Sequence, residues 1–197
     1  MTENERFAAM MEKSAALKLR IARELGDAVV GVIAACETSI GGGGKLMFCG
    51  NGGSAADSQH LATEMLVRLR SHKNRRPIAA LALTLDPALL TAGGNDYGFD
   101  SVFERPLRAL GKPGDVLFGI TTSGRSRNVI LALRAAREMG IVTVGMLGGE
   151  GKPAIDECDH VLLVPDTETA RIQECHIALG HAVLEMLEDR LIASGAA

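Results

Sequence analysis

The chain has 197 residues, 47% of them apolar, and a formal net charge of −3. That length and apolar content allow one domain with a substantial core and exclude an intrinsically disordered chain. The small negative charge gives no electrostatic basis for nucleic-acid binding.

With no Trp, one Tyr and five Phe, the core must be built from Ala, Leu, Ile, Val and Met, as buried helices and parallel strands often are. Residues 1–20 are charged and lack an apolar run, so they read as neither a signal peptide nor a membrane anchor. No later segment is apolar for long enough to span a bilayer. Cys36, Cys49, Cys158 and Cys175 show no CxxC spacing and read as reduced thiols of a cytoplasmic protein.

Apolar positions at helical spacing (Leu17, Ile21, Leu25, Val29, Ile33) predict one long helix or two in series over 7–38, with Gly26 and Gly31 as weak points. The glycine run 41–44 ends it. Short apolar runs then follow at 45–50, 77–83, 115–120, 141–147 and 160–164. Helical stretches separate them at 53–70, 87–110 (in two pieces), 126–139 and 153–157. Uniformly apolar strands alternating with helices predict an α/β fold. Five strands point to a doubly wound, flavodoxin-like parallel sheet, its site formed by loops at the strand C-terminal ends. A last helix over 168–191 is apolar on two sides, with Ile172, Leu179, Val183 and Met186 on one and Ile177, Leu184 and Leu187 on the other. A helix covered all round, together with the long first one, exceeds what one domain of this size can bury. The terminal helices, residues 1–40 included, are therefore expected to pack between subunits of an oligomer.

The first strand runs into Asn51-Gly52-Gly53-Ser54 and the third into Thr121-Thr122-Ser123-Gly124-Arg125-Ser126, each with a helix following. Glycines permit close backbone approach, and the free N–H groups of a helix start attract anions. Neither loop is a P-loop or a GxGxxG turn. For a glycine run of this kind, a plain strand-to-helix turn needing positive φ is the commoner explanation. The second has four hydroxyls, more than N-capping needs, with Arg125 and Arg127 beside them. As a pair at one edge of a sheet, the loops are expected to hold a phosphate.

In the second predicted helix, His60 and Glu64 share a face that Asp57 and Arg68 extend. By pattern alone that stripe reads as a solvated face with i,i+4 pairs. In the last helix, Gln173, His176 and His181 fall where cover is expected, so they require partners. Gly180, costing about 1 kcal/mol relative to Ala in a helix, marks a close approach there. Gln173 and His181 lie about 12 Å apart along the axis. Long side chains within one chain, or residues of different subunits, would bring them to one ligand. If His60, Glu64, Gln173 and His181 converge, they form a nitrogen and oxygen set that zinc accepts, and a carboxylate–imidazole acid/base pair.

Four stretches carry a family resemblance: CGNGGSAADSQHLATE at Cys49–Glu64, GNDYGFDSVFERPL at Gly94–Leu107, GDVLFGITTSGRSRNV at Gly114–Val129 and ARIQECHIALGH at Ala170–His181. Together they make the chain similar to the bacterial sedoheptulose-7-phosphate (phosphoheptose) isomerases of the sugar isomerase, or SIS, fold. The resemblance implies a single SIS domain over 1–197. It implies conversion of sedoheptulose 7-phosphate to D-glycero-D-manno-heptose 7-phosphate through an enediol, as the first step towards nucleotide-activated heptose for lipopolysaccharide or capsule. It also implies a cytoplasmic homotetramer with active sites at subunit interfaces and one zinc per subunit. By residue, it implies His60, Glu64, Gln173 and His181 as zinc ligands, with Glu64 as base and His181 as acid. Glu64 and Gln173 are also implied as substrate contacts, together with Asn51, Gly52, Gly53, Ser54, Asn95, Asp96, Thr121, Thr122, Ser123 and Ser126. Where some members carry an acidic residue before Arg-Ile-Gln, this chain has Ala170. A rival reading is a non-catalytic relative of the same fold that binds a replication initiator. Such a scaffold has no need of the acid/base pair. An isomerase of another sugar phosphate, such as arabinose 5-phosphate, usually carries extra regulatory domains, for which 197 residues leave no room.

Overall fold

The computed structural model describes residues 1–84 and 86–196. Five strands form one parallel sheet in the order β2-β1-β3-β4-β5. They are β1 (Leu46–Gly50), β2 (Ala80–Ala82), β3 (Val116–Thr121), β4 (Val142–Gly148) and β5 (His160–Val164). This is the flavodoxin-like order, with the topological switch between β1 and β3. Those two strands pair in register from Leu46↔Val116 to Gly50↔Ile120, so their C-terminal loops emerge side by side.

Strand alternation splits the interior into two cores. On one face Leu46, Phe48, Val116, Phe118, Val144, Met146 and Leu162 pack under α1 (Glu3–Glu24), α2 (Gly26–Gly41), α3 (Gly53–Leu66) and α7 (Thr169–Ala193). On the other, Met47, Cys49, Leu117 and Leu147 meet α5 (Glu104–Leu110) and α6 (Arg127–Glu138). The Phe48 and Phe118 rings stack across β1 and β3 at 4.8 Å. α4 (Pro87–Tyr97) buries none of its residues.

The helix predicted over 7–38 is two helices. Leu25 serves as C-cap of α1 and N-cap of α2, and Gly26 opens α2. Gly31 does not interrupt α2, where it faces the His160 ring. The strand predicted at 77–83 is only Ala80–Ala82, the three residues that pair with β1 at one edge of the sheet. The helix expected over 53–70 stops at Leu66, so Arg68 lies beyond it rather than on its stripe. Met186, expected under cover, is 44% exposed in the single chain. All four cysteines are free thiols, and burial pushes those of Cys36 and Cys49 up to about 12. Among the described residues no helix is long and apolar enough to cross a membrane.

Candidate active site

Both loops at the switch point lead into helices whose N-cap residues make no side-chain hydrogen bond to the first turn. α3 begins after Gly52, whose φ of +57° suits glycine, and no side chain caps it. Ser126 occupies the N-cap position of α6, yet its hydroxyl does not cap the helix. It meets Thr121 Oγ1 at 2.9 Å instead. Ser123 Oγ accepts from the Arg125 N–H. The Thr121, Ser123 and Ser126 hydroxyls thus hold the loop's own shape, and with the Val129 N–H bonded to Asn128 Oδ1, those of Arg127 and Asn128 are the α6 N-terminal donors for an anion. Gly124 is held at φ +66° with its α-carbon against the Gly151 backbone, where a side chain would collide. Thr122, Ser123 and Arg125 border a cleft of about 580 Å³ at the ends of β3, β4 and β5, with Arg20 and Lys152 on its rim. Arg127 instead pairs with Asp100 at 2.7 Å.

The two loops are tied together. Asn51 and Asn128 exchange two amide hydrogen bonds, each 2.9 Å, across the switch point. Asn128, buried in the first turn of α6, was not singled out by sequence; its signal was an amide residue just after the hydroxyl loop. Gly53 lies against Gln173, since a methyl group there would sit 3.4 Å from Gln173 Cγ. The α3 N-terminus and α7 are therefore in contact. Ser54 is buried, and its N–H donates to the Asn51 carbonyl.

Gly180 marks the close approach its sequence position implied. A methyl group there would fall 2.7 Å from Leu61 Cδ2. With α3 and α7 this near, residues 121 positions apart meet: His60 Nε2 and His181 Nε2 are 2.8 Å apart, with their rings at 77°. Glu64 Oε1 lies 3.3 Å from His60 Nε2. One ligand atom from each of His60, Glu64 and His181 lies within 4.8 Å of the others, so the trio could hold a metal ion. The stripe that read as a solvated face thus meets an imidazole from α7, within one chain.

Gln173 is oriented by a different neighbour. Its amide donates to Asp57 Oδ1 at 2.7 Å, leaving its carbonyl oxygen available. Asp57 is buried, and its other oxygen has no partner among the described residues. Burial raises its carboxyl above the ordinary value, opposed by the Gln173 hydrogen bond and the nearby His60 and His181. His176 takes the Leu147 carbonyl as its partner instead, and does not join the cluster. Asn95 and Asp96 lie exposed on α4, bonded to each other at 2.8 Å. Asp96 borders a separate hollow with Tyr97 and Arg105, so one chain does not bring this pair to the loops.

Fold and site together define an SIS-domain protein, and the SIS domain family model matches residues 10–148. The phosphoheptose isomerase of Chlorobaculum parvum is 47% identical over 179 residues, covering 90% of this chain and 86% of the relative. That of Aquifex aeolicus is 44% identical over 185 residues, covering 94% and 96%. The chain belongs to the phosphoheptose isomerase family. The solved phosphoheptose isomerase of Neisseria gonorrhoeae superimposes with a TM-score of 0.89 at 42% identity, covering 95% of this chain and all of that one.

Proposed function

We propose that the chain interconverts sedoheptulose 7-phosphate and D-glycero-D-manno-heptose 7-phosphate, supplying heptose for lipopolysaccharide or capsule. Family membership supports the substrate class. The observation that carries the chemistry is the meeting of Glu64 with His60 and His181 at one point between α3 and α7. A scaffold that only binds a partner protein has no use for that cluster.

The sugar's phosphate binds at the open N-terminus of α6, against Thr121, Thr122, Ser123 and Ser126. Asn51, Gly52, Gly53 and Ser54 bind the other end of the substrate. Glu64 removes the C1 proton of the ketose while His181 gives a proton to the C2 oxygen, forming the enediol. Glu64 then returns its proton to C2, and the O1 proton passes to His181, leaving the aldehyde at C1. Gln173, held by Asp57, hydrogen-bonds the reacting hydroxyls. The donor set of two imidazoles and a carboxylate fits zinc, with His60, Glu64 and His181 as ligands and Gln173 as the fourth. Bound there, zinc would polarise the C1 and C2 oxygens. The protein works as a cytoplasmic homotetramer of single SIS domains, residues 1–40 packing between subunits.

Glu64→Gln keeps the side-chain shape and removes the base, so turnover of sedoheptulose 7-phosphate should fall about 10²–10⁴-fold. Near-wild-type turnover in that variant refutes the assignment. In the wild type, a chelator should abolish turnover and added zinc restore it.

A further inference from the structure

The loop between α3 and β2 carries two arginines, Arg70 and Arg75, that converge on one carboxylate of α7. Glu188 is fully buried, as is the Arg75 side chain. Arg75 Nε donates to Glu188 Oε1 at 2.7 Å and Arg70 Nε to Oε2 at 2.8 Å, so each carboxylate oxygen has a guanidinium partner. The rest of the Arg75 guanidinium faces the end of α3. It donates to the Glu64 carbonyl at 2.7 Å and the Met65 carbonyl at 2.9 Å. Those carbonyls belong to the last turn of α3, where helix hydrogen bonds run out.

Glu64 is the residue whose side chain meets His60, and Glu188 stands seven positions after His181, two turns along the same side of α7. Beside the direct packing of Gly180 on Leu61, a second path from one half of the cluster to the other runs from the Glu64 main chain through Arg75 to Glu188 and along α7 to His181. Arg70 reinforces it by donating to the Glu185 carbonyl and to Asp189. The planar guanidinium matters: it spans a carboxylate and two carbonyls at once, which an ammonium does not.

We propose that Arg75 and Glu188 are positioning residues: this buried pair fixes the end of α3 against α7 and so sets where the Glu64 carboxylate stands relative to His181. The functional part rests on Glu64 and His181 being the acid/base pair. Among the described residues neither Arg75 nor Glu188 hydrogen-bonds to the loop after β3, so phosphate capture there should change less than the placement of the Glu64 carboxylate. A displacement of about 1 Å at reacting groups costs on the order of 10²-fold in rate.

Arg75→Lys keeps the charge and loses the span. It should lower kcat about 10–100-fold while KM for sedoheptulose 7-phosphate stays within about threefold. Glu188→Gln is read the same way, and supplies the test if the lysine variant does not fold. Ile141→Ala, in the core on the opposite sheet face, supplies a general destabilisation for comparison and should retain kcat. The His60 and His181 imidazole ¹⁵N resonances should shift in Arg75→Lys and not in Ile141→Ala. Unmoved resonances, a KM rise that accounts for the loss, or an equal kcat fall in Ile141→Ala overturns the proposal. Absence of turnover in the wild type would sink the isomerase reading alone, while the resonances would still decide the positioning role.

Discussion

The His176 imidazole is fully buried, with Nε2 bonded to the Leu147 carbonyl at 3.1 Å and Nδ1 without a partner among the described residues. Burial disfavours its charged form and pulls it down to about 4 from an ordinary 6.5. The folded protein thus binds this proton less readily than the unfolded chain. Stability from this residue is complete above the unfolded value and is lost as pH falls from 6.5 towards 4, by up to about 3 kcal/mol. Urea midpoints at pH 7.5 and 4.5 measure it; His176→Gln should lose less on acidification than the wild type, and an equal loss would contradict the assignment. Three polar residues of the last helix were legible as needing partners, but not which partner each takes. His176 and His181 are about 140° apart around the helix, so they serve different neighbours, Leu147 and His60. Those neighbours lie on other elements, beyond what spacing along one helix reveals.

At the scale of elements, the contact between α3 and α7 decides whether the site exists. Gly180→Ala gains about 1 kcal/mol of helix propensity. It also pushes a methyl group to 2.7 Å and 2.8 Å from the two δ-carbons of the buried Leu61, and overpacking costs about 1–3 kcal/mol. Steric cost wins, so the variant should melt several degrees lower and turn over more slowly, because Leu61 adjoins His60. A variant as stable and active as the wild type would show that the two helices have slack. The glycine made this contact visible in sequence, and the apolar runs revealed the strands, since buried parallel strands are apolar on both faces. Two boundaries were not visible. α3 ends at Leu66 where Arg75 and Ile78 take over its last carbonyls, and β2 is short because only Ala80–Ala82 pair with β1. Both limits come from contacts outside the local pattern.

For the whole molecule, the terminal helices leave apolar surface that one chain does not cover. Ile21, Leu25, Val29, Val30, Leu179 and Met186 line a groove of about 450 Å³ where α1, α2 and α7 meet. Val30 is 47% exposed and Met186 44%. α4 likewise exposes Leu89 and Tyr97 beside Asn95 and Asp96. Burying apolar area yields about 25 cal/mol per Å², and a subunit interface is the ordinary outlet for a patch of this kind. The proposed tetramer covers these faces with other copies and gives the stranded Asn95–Asp96 pair a route to a neighbouring subunit's loops. Val30→Arg places a charge in the groove without disturbing either core. Light scattering should then report a mass below four chains, and turnover should fall with the loss of assembly. A wild-type protein that runs as a monomer and is fully active would remove the need for cover. It would also leave Asn95 and Asp96 without a part in the reaction, since among the described residues their side chains hydrogen-bond only to each other.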